Sequence, residues 1–147
     1  MTNKIVIADT SGIIAAYDDG EPETLRCRAV LAEVPLLVVS PLLLAEIDHV
    51  ATRLAGRTAA RHILADIQRW ARAGRFVLPT ITAEIMATAE QTRDHYAAFD
   101  LDLADAVNVA LAFEFRTDTI LTLDRRDFRA LTPLTPHKAF RLLPDDL

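Results

Sequence analysis

Apolar residues fall along this chain in two alternating patterns. Lys4 to Ala8 (KIVIA), Leu36 to Val39 (LLVV), Phe76 to Leu78 and Thr119 to Leu123 (TILTL) are short apolar runs rich in β-branched residues, the signature of strands. The first is apolar throughout, which suits a strand covered on both faces in the middle of a sheet. Phe140 to Leu143 reads as a last strand at an edge.

Between these runs the apolar positions recur at helical spacing. Asp9-Thr10-Ser11-Gly12 turns the chain into a short helical piece ending near Tyr17, and Glu21 to Glu33 reads as a second helix, with Gly20 and Pro22 punctuating the join. Ser40-Pro41 is a helix start, Ser as N-cap and Pro at the first helical position, opening a helix to about Leu54. Arg57 to Ala73 repeats apolar residues through Ile63, Leu64, Ile67 and Trp70 and stops at Gly74. Thr82 to Phe99 and Leu103 to Phe115 read as two more helices, joined by Asp100-Leu101-Asp102. Trp70, Phe113 and Phe115 fall at core-like positions.

Strands alternating with helices across short connections predict an α/β fold: a central, mainly parallel sheet of four to five strands, covered on both faces and built with right-handed crossovers. No Gly-, Ser- or Pro-rich stretch divides the 147 residues and no repeat is visible, so one domain spanning residues 1–147 is expected.

A hydrophobic fraction of 51% and a charged fraction of 25% exclude a disordered or collagen-like chain. The longest apolar runs, such as Pro35 to Ala45, fall short of the roughly 20 residues that span a bilayer, and no signal-peptide pattern opens the chain, so a cytoplasmic protein is expected. Cys27 is the single cysteine, which excludes an intrachain disulfide and a cysteine zinc site and leaves it as filler on a helix.

Candidate chemistry lies in the acids. In parallel sheets, sites form beyond the carboxyl ends of the strands, where loops and helix N-termini converge. Asp9 ends the first strand, Asp124 follows TILTL, Glu46 lies in the helix after LLVV, and Asp105 lies in the first turn of the helix that leads to TILTL. Four carboxylates meeting there would repel one another unless a cation sat among them. Hard oxygen ligands without Cys or clustered His favour Mg²⁺ or Mn²⁺. Such an ion lowers the pKa of bound water and stabilises charge growing on a phosphodiester, so phosphodiester hydrolysis is the natural reaction.

Each acid also has a plain structural role open to it. Asp9 suits a helix cap. Glu46 has Leu42, Leu43 and Val50 as helical neighbours and, on that apolar face, needs a partner. Asp105 suits the third position of a helix capped by Asp102, where it favours the dipole. Asp124, before Arg125-Arg126-Asp127, suits a turn or an ion-paired loop. All four are nonetheless expected to reach one edge of one sheet, and that coincidence favours chemistry.

These residues resemble the PIN-domain family and, within it, the VapC-like toxins of toxin–antitoxin pairs. IVIADTSGIIAAY resembles the family's opening strand, aspartate and small hydroxyl; PLLLAEIDHV the segment with its glutamate; LDLADAVNVALA the segment with its third acid; and TILTLDRRDF its closing strand with the fourth. The order and spacing match across nearly the whole chain. The resemblance implies a PIN-like three-layer α/β/α sandwich and Mg²⁺-dependent endoribonuclease activity on structured RNA, tRNA or rRNA. It places metal ligation on Asp9, Glu46, Asp105 and Asp124, and a supporting hydroxyl on Thr10 or Ser11. Asp127 is then an outer acid, and Asp102 a substitute for Asp105. It also implies a homodimer and a cognate antitoxin that covers the site.

The net charge of −5 stands against broad nonspecific nucleic-acid binding, although a divalent ion would cancel two charges where RNA approaches. RNA affinity needs cations near the site. Arg125, Arg126 and Arg129 flank Asp124, while Arg53, Arg57 and Arg61 follow Glu46 at spacings that share one helical side if the turn is continuous; both groups are candidate phosphate contacts, with ordinary ion-paired surface as the alternative. His49, one turn after Glu46, is a candidate contact or a structural residue.

Two other classes are weaker. A receiver or phosphatase using a phosphorylated aspartate would usually carry a second Asp where Ser11 stands, and there is no GxGxxG, P-loop or GxSxG. A catalytically silent PIN-fold module that binds RNA or protein has the four retained acids against it.

Overall fold

The computed structural model describes residues 5–147, so Lys4, placed above in the first strand, lies outside the described residues. Five strands, β1 (Ile5–Ala8), β2 (Leu36–Val38), β3 (Phe76–Val77), β4 (Thr119–Leu121) and β5 (Arg141–Leu143), form one sheet in the order β3-β2-β1-β4-β5. Every pairing is parallel, with Ile5 opposite Leu36, Ile7 opposite Ile120, and Leu37 opposite Phe76. β1 is central, as its unbroken apolar run requires, and β5 is an edge.

Both faces of the sheet are apolar because successive side chains point to opposite sides. Val6, Ala8, Leu37, Val39 and Leu121 pack into one core with helices α1 (Thr10–Tyr17), α2 (Thr24–Glu33), α3 (Pro41–Ala55) and α4 (Arg57–Arg72). Ile7, Val38, Ile120 and Leu142 pack into the other with α5 (Ala83–His95), α6 (Leu103–Glu114) and α7 (Arg125–Ala130). Cys27 is fully buried in the first core, and burial pushes its thiol up to about 11, so it is the inert filler expected.

Local signals set the helix ends. Ser40 caps α3 by accepting from the Leu42 amide at 3.2 Å, with Pro41 opening the helix. Thr82 and Asp102 cap α5 and α6 in the same way, accepting from Ile85 and Asp105. Gly56, at φ 95°, breaks the chain between α3 and α4, so Arg53 and Arg57 lie on two helices rather than one.

The structure differs from the sequence pattern at several points. The helix expected over Thr82 to Phe99 stops at His95, and a 3-10 turn follows at Ala97–Phe99. α2 starts only at Thr24, since Glu21 and Pro22 belong to the turn before it. Arg125–Ala130, read as a turn or loop, is a helix. Phe113, in the last turn of α6, is 49% exposed rather than core.

Gly12 sets how closely α1 approaches the sheet. A Cβ built there would stand 2.6 Å from Leu121 Cγ and 2.7 Å from the Leu121 carbonyl oxygen. Only glycine lets the helix after Asp9 rest on the end of β4, which brings the residues following β1 and β4 together.

Candidate active site

All five strands run parallel, so their carboxyl ends share one edge, and each predicted acid follows from the chain's course there. Asp9 directly follows β1 and Asp124 is the N-cap of α7 just beyond β4. Glu46 is in the second turn of α3, and Asp105 in the first turn of α6.

The tightest grouping is Asp105, Asp124 and Asp127, each of which offers a carboxylate oxygen within 4.8 Å of the others. Asp127, read from sequence as an outer acid, therefore stands beside Asp105 and Asp124, because α7 turns it back by one helical turn. Asp9 and Glu46 lie outside that trio but act on it. The Asp105 carboxyl is pushed up to about 8 by burial and by the negative charges of Asp9, Asp102, Asp124 and Glu46 around it. Burial and the neighbouring Asp127 also raise Asp124.

Asp9 is buried, with 6% of its surface exposed. Its side chain makes no cap hydrogen bond to α1, so the capping role open to it in sequence is not the one it takes. Instead Oδ2 accepts from Thr122 Oγ1 at 2.7 Å and from Ser11 Oγ at 3.0 Å. Burial raises its carboxyl, the Thr122, Ser11 and Thr10 hydrogen bonds oppose that rise, and Asp124 adds to it. Asp105, by contrast, does occupy the dipole-favoured position: Asp102 Oδ1 accepts from its amide at 2.8 Å.

Thr122 is the residue that sequence reasoning missed. Its hydroxyl donates to Asp9 and accepts from the Asp124 amide at 2.9 Å, while Ser11 Oγ accepts from the Leu123 amide at 2.9 Å. These bonds tie the residues after β1 to those after β4. The signal was present as a polar residue interrupting TILTLD two residues before its acid. Asn108, one turn beyond Asp105 and fully buried, was missed as well; its Nδ2 donates to the Ala8 carbonyl at 3.0 Å, while its Oδ1 has no partner.

The donor set fits a hard divalent cation. It is all oxygen, with no His or Cys in the group. The raised carboxyls are the energetic sign of acids taken out of water first and held beside other negative charges second, and a cation among them offsets both. Of the two hydroxyls after Asp9, Ser11 Oγ donates to its carboxylate, whereas the Thr10 hydroxyl is buried without a partner.

The flanking arginines differ in how they are engaged. Arg129 is held by Asp145 and Asp146 at 2.8 Å, and Arg125 stands 3.7 Å from Glu23 and from Asp145. Arg126, Arg53, Arg57 and Arg61 are exposed.

The PIN domain profile matches residues 6–132 of this chain. Ribonuclease VapC26 of Mycobacterium tuberculosis is 35% identical to it over 130 residues, covering 88% of this chain and 93% of that protein. Among solved structures, M. tuberculosis VapC20, described as a sarcin-ricin loop cleaving toxin, has a TM-score of 0.72 at 18% identity, covering 82% of this chain and 91% of its own. VapBC2 from Rickettsia felis, bound to a DNA fragment from its promoter, has a TM-score of 0.66 at 14% identity, covering 89% and 96%. A toxin–antitoxin complex from Klebsiella pneumoniae has a TM-score of 0.59 at 23% identity, covering 90% and 98%. At these identities the solved structures establish a shared fold.

Proposed function

The chain belongs to the PIN domain family, and on that premise we propose that it is a VapC-like endoribonuclease toxin that hydrolyses phosphodiester bonds of structured RNA, tRNA or rRNA. The observation that carries this reading is the convergence of Asp105, Asp124 and Asp127 within 4.8 Å, under the charge of Asp9 and Glu46, at the carboxyl edge of the sheet.

Asp9, Glu46, Asp105 and Asp124, with Asp127 close by, would hold Mg²⁺ or Mn²⁺. When bound, the ion supplies a water of lowered pKa and neutralises charge developing on the phosphate. The chain's own work is positional. Thr122 and Ser11 fix the Asp9 carboxylate from one side, and the Asp102 cap fixes the turn that presents Asp105. Burial, and then the charges of Asp9, Asp102, Asp124 and Glu46, raise the Asp105 carboxyl, so the metal-free site is under electrostatic tension that ion binding would relieve.

The named relatives include toxin–antitoxin complexes, which supports a cognate antitoxin as partner. The reading also takes in a homodimer and action in the cytoplasm; among the described residues no helix is long and apolar enough to cross a membrane.

The test is cleavage of purified tRNA and rRNA with Mg²⁺, Mn²⁺ or EDTA by wild type and by Asp9→Asn and Asp105→Asn. Discrete metal-dependent cuts, absent in both variants, are expected. Well-folded wild type that binds RNA but cuts nothing under any metal would replace the enzyme with a silent binding module.

A further inference from the structure

The α3–α4 hairpin carries a basic concavity separate from the acidic cluster. His49 and Arg53 of α3 and Arg57 and Arg61 of α4 line a hollow of about 850 Å³, with Asp48 the one acid at its wall. All four basic side chains are exposed. Several other arginines are closely paired: Arg28, Arg69, Arg93 and Arg129 each meet a carboxylate at 2.6 to 3.1 Å. Among the described residues Arg53, Arg57 and Arg61 make no ion pair and no side-chain hydrogen bond. Three unpaired guanidiniums side by side, in a chain of net charge −5, form a local positive field against the overall one. The first turn of α4, which Arg57 opens, holds no acid, so the positive end of that helix dipole adds to the field.

Position links this surface to the site. His49 lies one turn and Arg53 two turns beyond Glu46 on the same side of α3, a run of roughly 10 Å along the axis. A phosphodiester strand whose reacting phosphate meets the acids must carry its neighbouring phosphates past a negative edge. Arg53 is the unpaired guanidinium on the helix bearing Glu46, and Arg57 and Arg61 of α4 line the same hollow. Guanidinium binds phosphate oxygens through a planar fork of donors, which suits Arg better than Lys here.

We propose that the α3–α4 concavity binds the RNA backbone beside the scissile bond, with Arg53, Arg57 and Arg61 contacting phosphates that do not react. This rests on the ribonuclease reading, and the test separates the two.

Binding of a fluorescent single-stranded RNA is measured in EDTA between 50 and 200 mM salt, roughly the range over which phosphate contacts dominate affinity, for wild type and for the Arg53→Gln, Arg57→Gln, Arg61→Gln triple variant. The triple variant is expected to bind at least about tenfold more weakly at the low-salt end, with its log–log salt slope flattened by about 2. The corresponding triple Lys variant keeps the charge and should keep the slope. Hydrolysis of bis-p-nitrophenyl phosphate with Mn²⁺, which is too small to reach the hairpin, should be equal in wild type and the Gln variant. Unchanged RNA affinity and slope in the Gln variant would overturn the proposal and leave the hollow to an acidic protein partner. RNA binding that depends on the arginines, in a wild type inactive on every phosphodiester, would uphold the surface and sink the ribonuclease reading alone.

Discussion

Arg129 grips Asp146 through two parallel hydrogen bonds, Nη1 to Oδ2 and Nη2 to Oδ1, both 2.8 Å, and Nη2 also reaches Asp145 at 2.8 Å. Asp146 in turn accepts from the Leu142 amide, so α7 is fastened to the end of β5. Because α7 begins at Asp124 and carries Asp127, the clasp bears on the placement of two site acids. Arg129→Ala should cost roughly 1 kcal/mol of stability at most, since the pair is solvent-exposed and screened. It should also weaken Mn²⁺ binding measured by calorimetry, with Arg129→Lys restoring part of both. Unchanged Mn²⁺ affinity would show that α7 holds its place without the clasp.

The same pair predicts an acid limb. The Arg129 hydrogen bonds hold Asp146 down to about 2, below its usual 3.8. Its stabilisation is therefore complete above the unfolded value and is lost as the pH falls from about 4 towards 2. In Asp146→Asn that part of the melting-temperature decline should be absent.

Asp105 works in the opposite direction. Its folded carboxyl is raised from 3.8 to about 8, so the folded protein holds a proton that the unfolded chain releases between those values. Metal-free protein should consequently lose stability as the pH rises from about 4 to about 8. In EDTA, Asp105→Asn should flatten that decline and melt at a higher temperature than wild type near pH 8. A wild-type profile that rises through this window would contradict the raised carboxyl.

Thr122→Val replaces the hydroxyl shared by Asp9 and the Asp124 amide with a methyl of similar volume. The fold should persist, while metal affinity or cleavage falls by about 10- to 100-fold, the usual cost of removing a ligand's outer partner. Thr122→Ser, which retains the hydroxyl, should recover most of it. Equal activity in all three proteins would remove Thr122 from the site.

Gly12→Ala tests the approach of α1 to β4. A methyl 2.7 Å from the Leu121 carbonyl oxygen must push the helix away, at a cost of about 1–3 kcal/mol. Since the Ser11 and Thr122 contacts to Asp9 span that junction, cleavage should drop more than the shift in melting temperature accounts for at the assay temperature. Cleavage at the wild-type rate would show that the junction relaxes without disturbing Asp9.

Sequence pattern locates the strands and long helices well, because β1 and β2 are unbroken apolar runs and Ser40-Pro41, Thr82 and Asp102 are caps that work as their chemistry dictates. Asp9, Glu46, Asp105 and Asp124 are legible for the same reason: each stands at a fixed distance from an element that periodicity reveals. Asp127 and Thr122 were harder to place. The six-residue α7 is too short to show a helical period, so the turn that brings Asp127 inward is invisible. Thr122 matters through bonds to Asp9, 113 residues away, which no local pattern encodes. The gathering of Arg53, Arg57 and Arg61 likewise comes from two helices folding back at Gly56, not from one continuous face.

The strand order β3-β2-β1-β4-β5 has a further consequence. The chain winds outward from β1 in one direction, then restarts on its other side with β4. The residues after β1 enter α1, on one face of the sheet, whereas those after β4 enter α7, on the other. Two adjacent strands thus send their continuations apart, and a crevice opens between them at the point where the winding reverses. Asp9 and Asp124 stand on its two lips. The location of the site is therefore a property of the chain's itinerary: loops and surface helices are free to change what enters the crevice, but the crevice itself lasts as long as the order of strands.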